Sequence, residues 1–271
     1  MEYLTQLVSK FISKPQNSEK YILNRNNKND YFRTEPIICS NYKYEIDIPG
    51  AAGLAPYLMG ICKVLQEEFK PELEQSIIVG TSVGSFCSLV LASNIQFDDA
   101  YYNGTTKFLQ AIGKSFMDKS LNLTNNYQTS IRNYILERKD EISLDALENK
   151  LFINASCYQT GDNYIINKFN SHSDIIDAIT SSSILPLLHT SITYELDGKM
   201  LRDGCFSEEP HICPNLHKVC ISLTMFRQLP ITSFLPNDNI EDNNKLYKLG
   251  IQDARDNLEK LKEMFLVNEN N

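Results

Sequence analysis

From Pro36 onward the chain alternates short apolar runs with longer stretches whose apolar residues recur every three or four positions. Runs of the first kind, rich in β-branched residues, predict strands: IICS (37–40), YEIDI (44–48), IIVG (77–80), LFINAS (151–156), YIIN (164–167), SITYEL (191–196) and VCISLT (219–224). In the second kind, Leu54, Leu58, Ile61, Cys62, Leu65 and Phe69 lie on one face of a helix. SVGSFCSLVLAS predicts another helix beginning near Val83, and 97–150 reads as helical and polar. SDIIDAITSSS (173–183) predicts a helix opened by a Ser/Asp cap. After the polar loop LPNDNIEDNN, residues 243–267 place Leu246, Leu249, Ala254, Leu258, Leu261 and Phe265 on one face of a last helix. Strands alternating with helices imply an α/β fold: a mainly parallel central sheet flanked by helices on both faces. No internal repeat interrupts this order. Residues 1–35 are polar and rich in Asn and Lys, an N-terminal extension to a domain over 36–271.

Size and charge narrow the picture. A chain of 271 residues, 42% hydrophobic, can bury one large core. No run of about 18 apolar residues predicts a membrane span, and the first 30 residues lack the apolar region of a signal peptide. A cytoplasmic protein is expected. The net charge of −8 excludes nucleic acid as the main partner, because neutralising phosphates takes clustered Lys and Arg. Lys10, Lys14 and Lys20 form a basic arm that could touch anionic headgroups. Seven cysteines, odd in number and mostly single in apolar segments, suit reduced thiols packed in a core. Cys205, His211, Cys213 and His217 are close in sequence, but their spacing fits no common zinc site.

The segment IIVGTSVGS (77–85) carries the candidate chemistry. Gly80-Thr81-Ser82-Val83-Gly84 fits G-x-S-x-G with a strand before it and a helix after it. A serine in so sharp a turn is strained, and side chains two residues to either side would collide with the turn, so glycine is favoured there. The following helix directs free N–H groups and its positive dipole end at the serine oxygen. Such a serine needs a base. The histidines are His172, His189, His211 and His217. A Ser-Asp-His order can be drawn through Asp203 to His211 or His217, only 8 and 14 residues later. Asp203 itself, in Met-Leu-Arg-Asp-Gly, is the other candidate.

Four blocks in order extend these motifs: DIPGAAGLAPYLMGICKVLQEE (47–68), GTSVGS (80–85), LFINASCYQTGDNYIIN (151–167) and AITSSSILPLLHTSITYELDGKMLRDGCFSEEP (178–210). Together they resemble the patatin-like phospholipases, lipid acyl hydrolases with a Ser-Asp dyad, over residues 45–225, about two thirds of the chain. The resemblance implies a three-layer patatin-like fold, Ser82 as nucleophile and Asp203 as general base. It implies an oxyanion hole from the N–H groups of Gly50, Ala51, Ala52 and Val83, with Gly53, Gly80, Gly84 and Gly204 as motif glycines. It further implies phospholipid or another acyl lipid as substrate, peripheral contact with a membrane or micelle surface, and neither metal nor other cofactor. Two departures stand out. The family loop usually reads Gly-Gly-Gly-x-Arg-Gly, where this chain has Ile48, Pro49, Gly50, Ala51, Ala52 and Gly53, and Pro49 has no N–H to donate. After Gly204 the family's small residue and Asn-Pro give way to Cys205 and Glu208-Glu209-Pro210. These departures keep open a catalytically weak or silent lipid-binding protein on the same fold. Leu54, Phe86, Leu185, Leu187 and Leu188 read either as an acyl-binding wall or as ordinary core.

Overall fold

The computed structural model describes residues 41–110, 123–185, 193–196 and 198–266. The expected extension (1–35) and the strand expected at 37–40 lie outside the described residues. The rest is a mixed α/β fold, a central sheet flanked by helices.

The strands are β1 (Tyr44–Ile48), β2 (Ser76–Thr81), β3 (Leu151–Cys157), β4 (Asn163–Ile166), β5 (Tyr194–Leu196), β6 (Lys199–Asp203) and β7 (His217–Cys220). The main helices are α1 (Ala55–Glu68), α2 (Val83–Ala92), α3 (Leu123–Glu137), α4 (His172–Ser182), α5 (Ile240–Asp256) and α6 (Leu258–Met264). β7, β1, β2 and β3 pair in parallel, while β4 and β6 pair antiparallel with β3, and β5 antiparallel with β6.

Alternation along the strands sorts side chains to two faces. Ile46, Ile48, Ile78, Ile153 and Ala155 join the large core with residues of α1, α2, α4 and α5. Ile77, Val79, Phe152 and Ile165 point the other way and pack with Ile212, Cys213 and Leu216. Burying one large aliphatic side chain contributes about 1.5–3 kcal/mol, so the many fully buried residues of the larger cluster supply most of the driving force. α1 and α5 cross very closely. A β-carbon on Gly250 would lie 2.1 Å from the Tyr57 carbonyl oxygen, and one on Gly60 would lie 2.3 Å from that of Tyr247.

Some boundaries differ from the sequence reading. β6 was not among the expected strands: in KMLRD the apolar residues Met200 and Leu201 are adjacent, so no alternation shows. It pairs with β5 across a tight turn in which Gly198 takes φ 71°. β7 occupies 217–220 instead of 219–224 because its polar residues find partners there. Lys218 meets Asp47 at 2.7 Å and His217 Nε2 meets the Met264 carbonyl at 2.8 Å. α5 begins inside the expected loop, at Ile240, because the Asn239 side chain accepts from the N–H groups of Glu241 and Asp242. Five cysteines, Cys62, Cys87, Cys157, Cys205 and Cys220, are free thiols. Cys213 is disulfide-bonded, against the expectation of reduced thiols throughout.

Candidate active site

Ser82 follows the last residue of β2 and precedes the first of α2, with φ 56° and ψ −128°. A non-glycine residue with positive φ costs about 1–3 kcal/mol and persists only where its surroundings hold it. They hold it here. A β-carbon on Gly80 would fall 2.5 Å from Ser85 Cα, and one on Gly84 would fall 2.2 Å from the Ile48 carbonyl oxygen. Both glycines of the motif are therefore required by close backbone approach. The Ser82 N–H donates to Ser182 Oγ at 2.8 Å, and Ser182 Oγ donates to the Asn154 carbonyl at 2.6 Å.

Register decides where Asp203 lies. Ile153 and Asn154 pair with β2 and also with β4, so β2 and β4 run along opposite edges of β3. Ala155 and Ser156 pair with β4 and with β6, so β6 runs along the edge that β2 occupies lower down. Thr81 stands opposite Asn154, and Asp203 stands opposite Ala155, the next residue. β2 and β6 thus approach each other tip to tip, one ending in Ser82 and the other in Asp203. The contact is tight: a β-carbon on Gly204 would lie 2.2 Å from the Asn154 carbonyl oxygen and 2.9 Å from Thr81 Cγ2. Asp203 shares the face of Ala155, the side on which α2 packs, and Ser82 leads into α2.

Four further hydrogen bonds pin the two tips. The Asp203 N–H donates to the Ile184 carbonyl at 3.0 Å, two residues after the Ser182 that holds Ser82. Asp203 Oδ1 accepts from the Cys205 N–H at 2.9 Å, which orients the carboxylate. Asn154 Nδ2 donates to Thr81 Oγ1 at 3.2 Å and to the Gly204 carbonyl at 3.4 Å. Ser82 is 2% exposed and Asp203 fully buried.

The chain leaving β1 covers the same tip, with the Pro49 carbonyl oxygen 2.5 Å from where a β-carbon of Gly84 would sit. Gly50 and Ala51 are buried, and their N–H groups donate to no carbonyl among the described residues. Ala52 takes φ 46°, which folds the loop back into α1. Gly53 is pressed against Leu235, whose carbonyl oxygen lies 2.2 Å from its would-be β-carbon. The Val83 N–H opens α2 and has no intrahelical partner.

The described histidines sit on other contacts. His172 Nε2 contacts the Lys139 and Ile142 carbonyls, both at 3.1 Å. His217 lies beside Tyr44, at the end of β1 remote from Ser82. His211 precedes Ile212, whose N–H donates to Glu45 at 3.0 Å, and burial holds its imidazole below its usual pKa. His189, Leu187 and Leu188 lie outside the described residues. Leu54, Phe86 and Leu185 are buried, and Leu54 and Phe86 belong to the large core.

Among the described residues, Asp47, Glu209 and Cys220 are the set with metal-ligand spacing, their donor atoms within 4.8 Å of one another. The Lys218 ammonium already sits 2.7 Å from Asp47 and 3.6 Å from Glu209. Burial pushes the Asp47 carboxyl well above its usual pKa, against the pull of Lys218. The cluster behaves as a buried ion-pair network.

Sequence reasoning missed Asn154 and Ser182. Asn154 had a signal, a polar residue inside an otherwise apolar buried strand. Ser182 had none beyond its place in a run of serines.

No protein-family model matches the chain, and no curated protein matches it. Among solved structures it is similar to the heterodimeric complex ExoU–SpcU of the type III secretion system of Pseudomonas aeruginosa, with a TM-score of 0.37 and 11% identity. The match covers 82% of this chain and 52% of that one, so the chain spans about half the length of its structural neighbour.

Proposed function

We propose that the protein is a carboxylic ester hydrolase of the phospholipase A or lysophospholipase kind, in which Ser82 attacks and Asp203 is its base. One observation carries the reading. The strained serine and the buried carboxylate end two strands that meet on one edge of β3, on the side of the sheet that α2 covers. In the first step Asp203 takes the Ser82 proton as Oγ adds to the ester carbonyl. The oxyanion falls to the N–H groups of Gly50, Ala51, Ala52 and Val83, a contribution of about 3–4 kcal/mol per needed donor. Collapse expels the alcohol, which receives the proton, and leaves an acyl-serine. Water, deprotonated by Asp203, then adds to that ester; the acyl–Oγ bond breaks, Ser82 Oγ takes the proton back from Asp203, and the fatty acid leaves. No imidazole takes part, and the partners of His172 and His217 favour a dyad over a Ser-His-Asp triad.

Pro49 supports a second reading, a lipid-binding protein with little or no turnover, because it removes one N–H from the loop. One experiment separates the two. Purified protein, Ser82→Ala and Asp203→Asn are incubated with phospholipids, lysophospholipids, triacylglycerols and short p-nitrophenyl esters, and separately with a fluorophosphonate probe. The hydrolase reading expects labelling of wild type alone and a loss of turnover of about 10³-fold or more in either variant. Wild-type activity equal to that of Ser82→Ala on every substrate, without labelling, would leave only the binding reading.

A further inference from the structure

On the face of β3 opposite Asp203, four polar atoms converge. Ser156 is the centre: it pairs with Arg202 of β6 on one edge and with Asn163 of β4 on the other. Directly opposed residues share a face, with β-carbons about 4.5–5.5 Å apart. Asn154, two residues earlier on β3, points the same way. Ser156 is fully buried and Asn154 1% exposed. Ser156 Oγ, Arg202 Nε, Asn154 Oδ1 and Asn163 Oδ1 are all buried atoms without a hydrogen-bond partner among the described residues. Buried polar groups are seldom left so, and here three share one register position with the fourth two residues away on the same face.

Arg202 gives the cluster its sign. It makes no ion pair among the described residues. Glu195, opposite Met200 on the same face, is exposed and does not reach it. The guanidinium instead packs on aromatic rings, 4.4 Å from the Phe206 centroid and 5.4 Å from that of Tyr158. Contacts of this kind engage the flat faces of the guanidinium and leave its in-plane N–H groups for an oxyanion. Ser156 adds a hydroxyl donor. The Asn163 amide can turn either end toward a ligand, while Asn154 Oδ1 can accept from a P–OH group.

We infer that Arg202, Ser156 and Asn163, with Asn154 at the edge toward Thr81, form a binding site for a phosphate group, free or on a lipid headgroup, on the face of the sheet opposite Asp203. Such a site binds whether or not the chain hydrolyses esters, so its test is independent of turnover. Inorganic phosphate is titrated calorimetrically into wild type, Arg202→Leu, Arg202→Lys and Ser156→Ala at constant ionic strength. In parallel, flotation is measured with phosphatidylcholine vesicles and with the same vesicles carrying phosphatidic acid. Wild type should bind at least one of the two phosphate forms, and Arg202→Leu should lose at least tenfold in affinity. Arg202→Lys should keep part of it, since an ammonium keeps the charge without the fork, and Ser156→Ala should lose several-fold. Phosphate alone binding identifies the free anion; recruitment only to phosphatidic acid identifies the headgroup. If Arg202→Leu does not fold by circular dichroism, Arg202→Lys and Ser156→Ala decide. No binding by wild type, or equal binding by the variants that fold, overturns the inference and leaves these atoms to ordinary hydration.

Discussion

Of the places where glycine brings backbone against backbone, two serve different ends. Where α1 crosses α5, Gly60 and Gly250 let the helices touch. Beside them Asp253 is gripped by Tyr57 at 2.8 Å and by the Arg227 guanidinium. Gly60 and Gly250 themselves keep ordinary negative φ. Where β2 meets β6, Gly80, Gly84 and Gly204 permit the same closeness, but beside them Ser82 is held at positive φ. The helix crossing spends close packing on stability. The strand junction spends it on holding one hydroxyl in a conformation the chain would otherwise leave.

That contrast can be broken or sharpened by single methyl groups. The largest expected effect is at the junction. Gly204→Ala must push Asn154 or Thr81 aside, and a displacement near 1 Å at a reacting centre costs about 100-fold in rate. Turnover per fluorophosphonate-labelled molecule should fall by that factor while the melting temperature changes modestly. Gly250→Ala should do the reverse. Overpacking against the Tyr57 carbonyl should cost about 1–3 kcal/mol in urea unfolding, with turnover per labelled site unchanged. Equal losses of stability and turnover in both variants would erase the distinction.

The smallest effect concerns a carboxylate that links this helical layer to α2. Asp99 accepts from Arg138 at 2.6 Å and from Tyr134 at 2.8 Å, and the Tyr134 ring packs on Phe86 of α2. Hydrogen bonds from Arg138 hold its pKa down to about 2, below the usual carboxylate value. A lowered folded-state pKa stabilises above the unfolded value near 4 and loses that contribution as pH falls toward 2. Asp99→Asn should therefore be less stable than wild type at pH 6, by about 1 kcal/mol given its partial exposure, with the gap closing by pH 2. Urea midpoints across that range measure it.

Much of the architecture was legible because its causes are local. YEIDI forms β1 at the expected residues, IIVG lies within β2, and SDIIDAITSSS falls largely within α4, although its cap is Ser171, two residues before the expected Ser173, accepting from the Asp174 N–H. The G-x-S-x-G turn was legible for the same reason, since the glycines and the strain lie within five residues. β6 was not, because its pairing depends on β3, more than 40 residues away, and its sequence carries no alternation. The approach of the ends of β2 and β6 could not be read from local pattern, since it depends on which edge of β3 the hairpin takes. Nor could the sequence tell that Glu45 and Asp47, the two charged residues of β1, are buried. Glu45 accepts from the Ile212 and Cys213 N–H groups at 3.0 and 2.8 Å, and Asp47 is matched by Lys218. Those partners arrive from the far end of the chain.

Because β2 and β6 share an edge of β3 without pairing to one another, no ladder of amide bonds spans the joint between them. Elsewhere in the sheet the distance between neighbours is fixed near 4.8 Å by that lattice. At this one joint the spacing is set by the thickness of Thr81, Asn154 and a bare glycine, so it can be retuned by a single side chain without disturbing any strand.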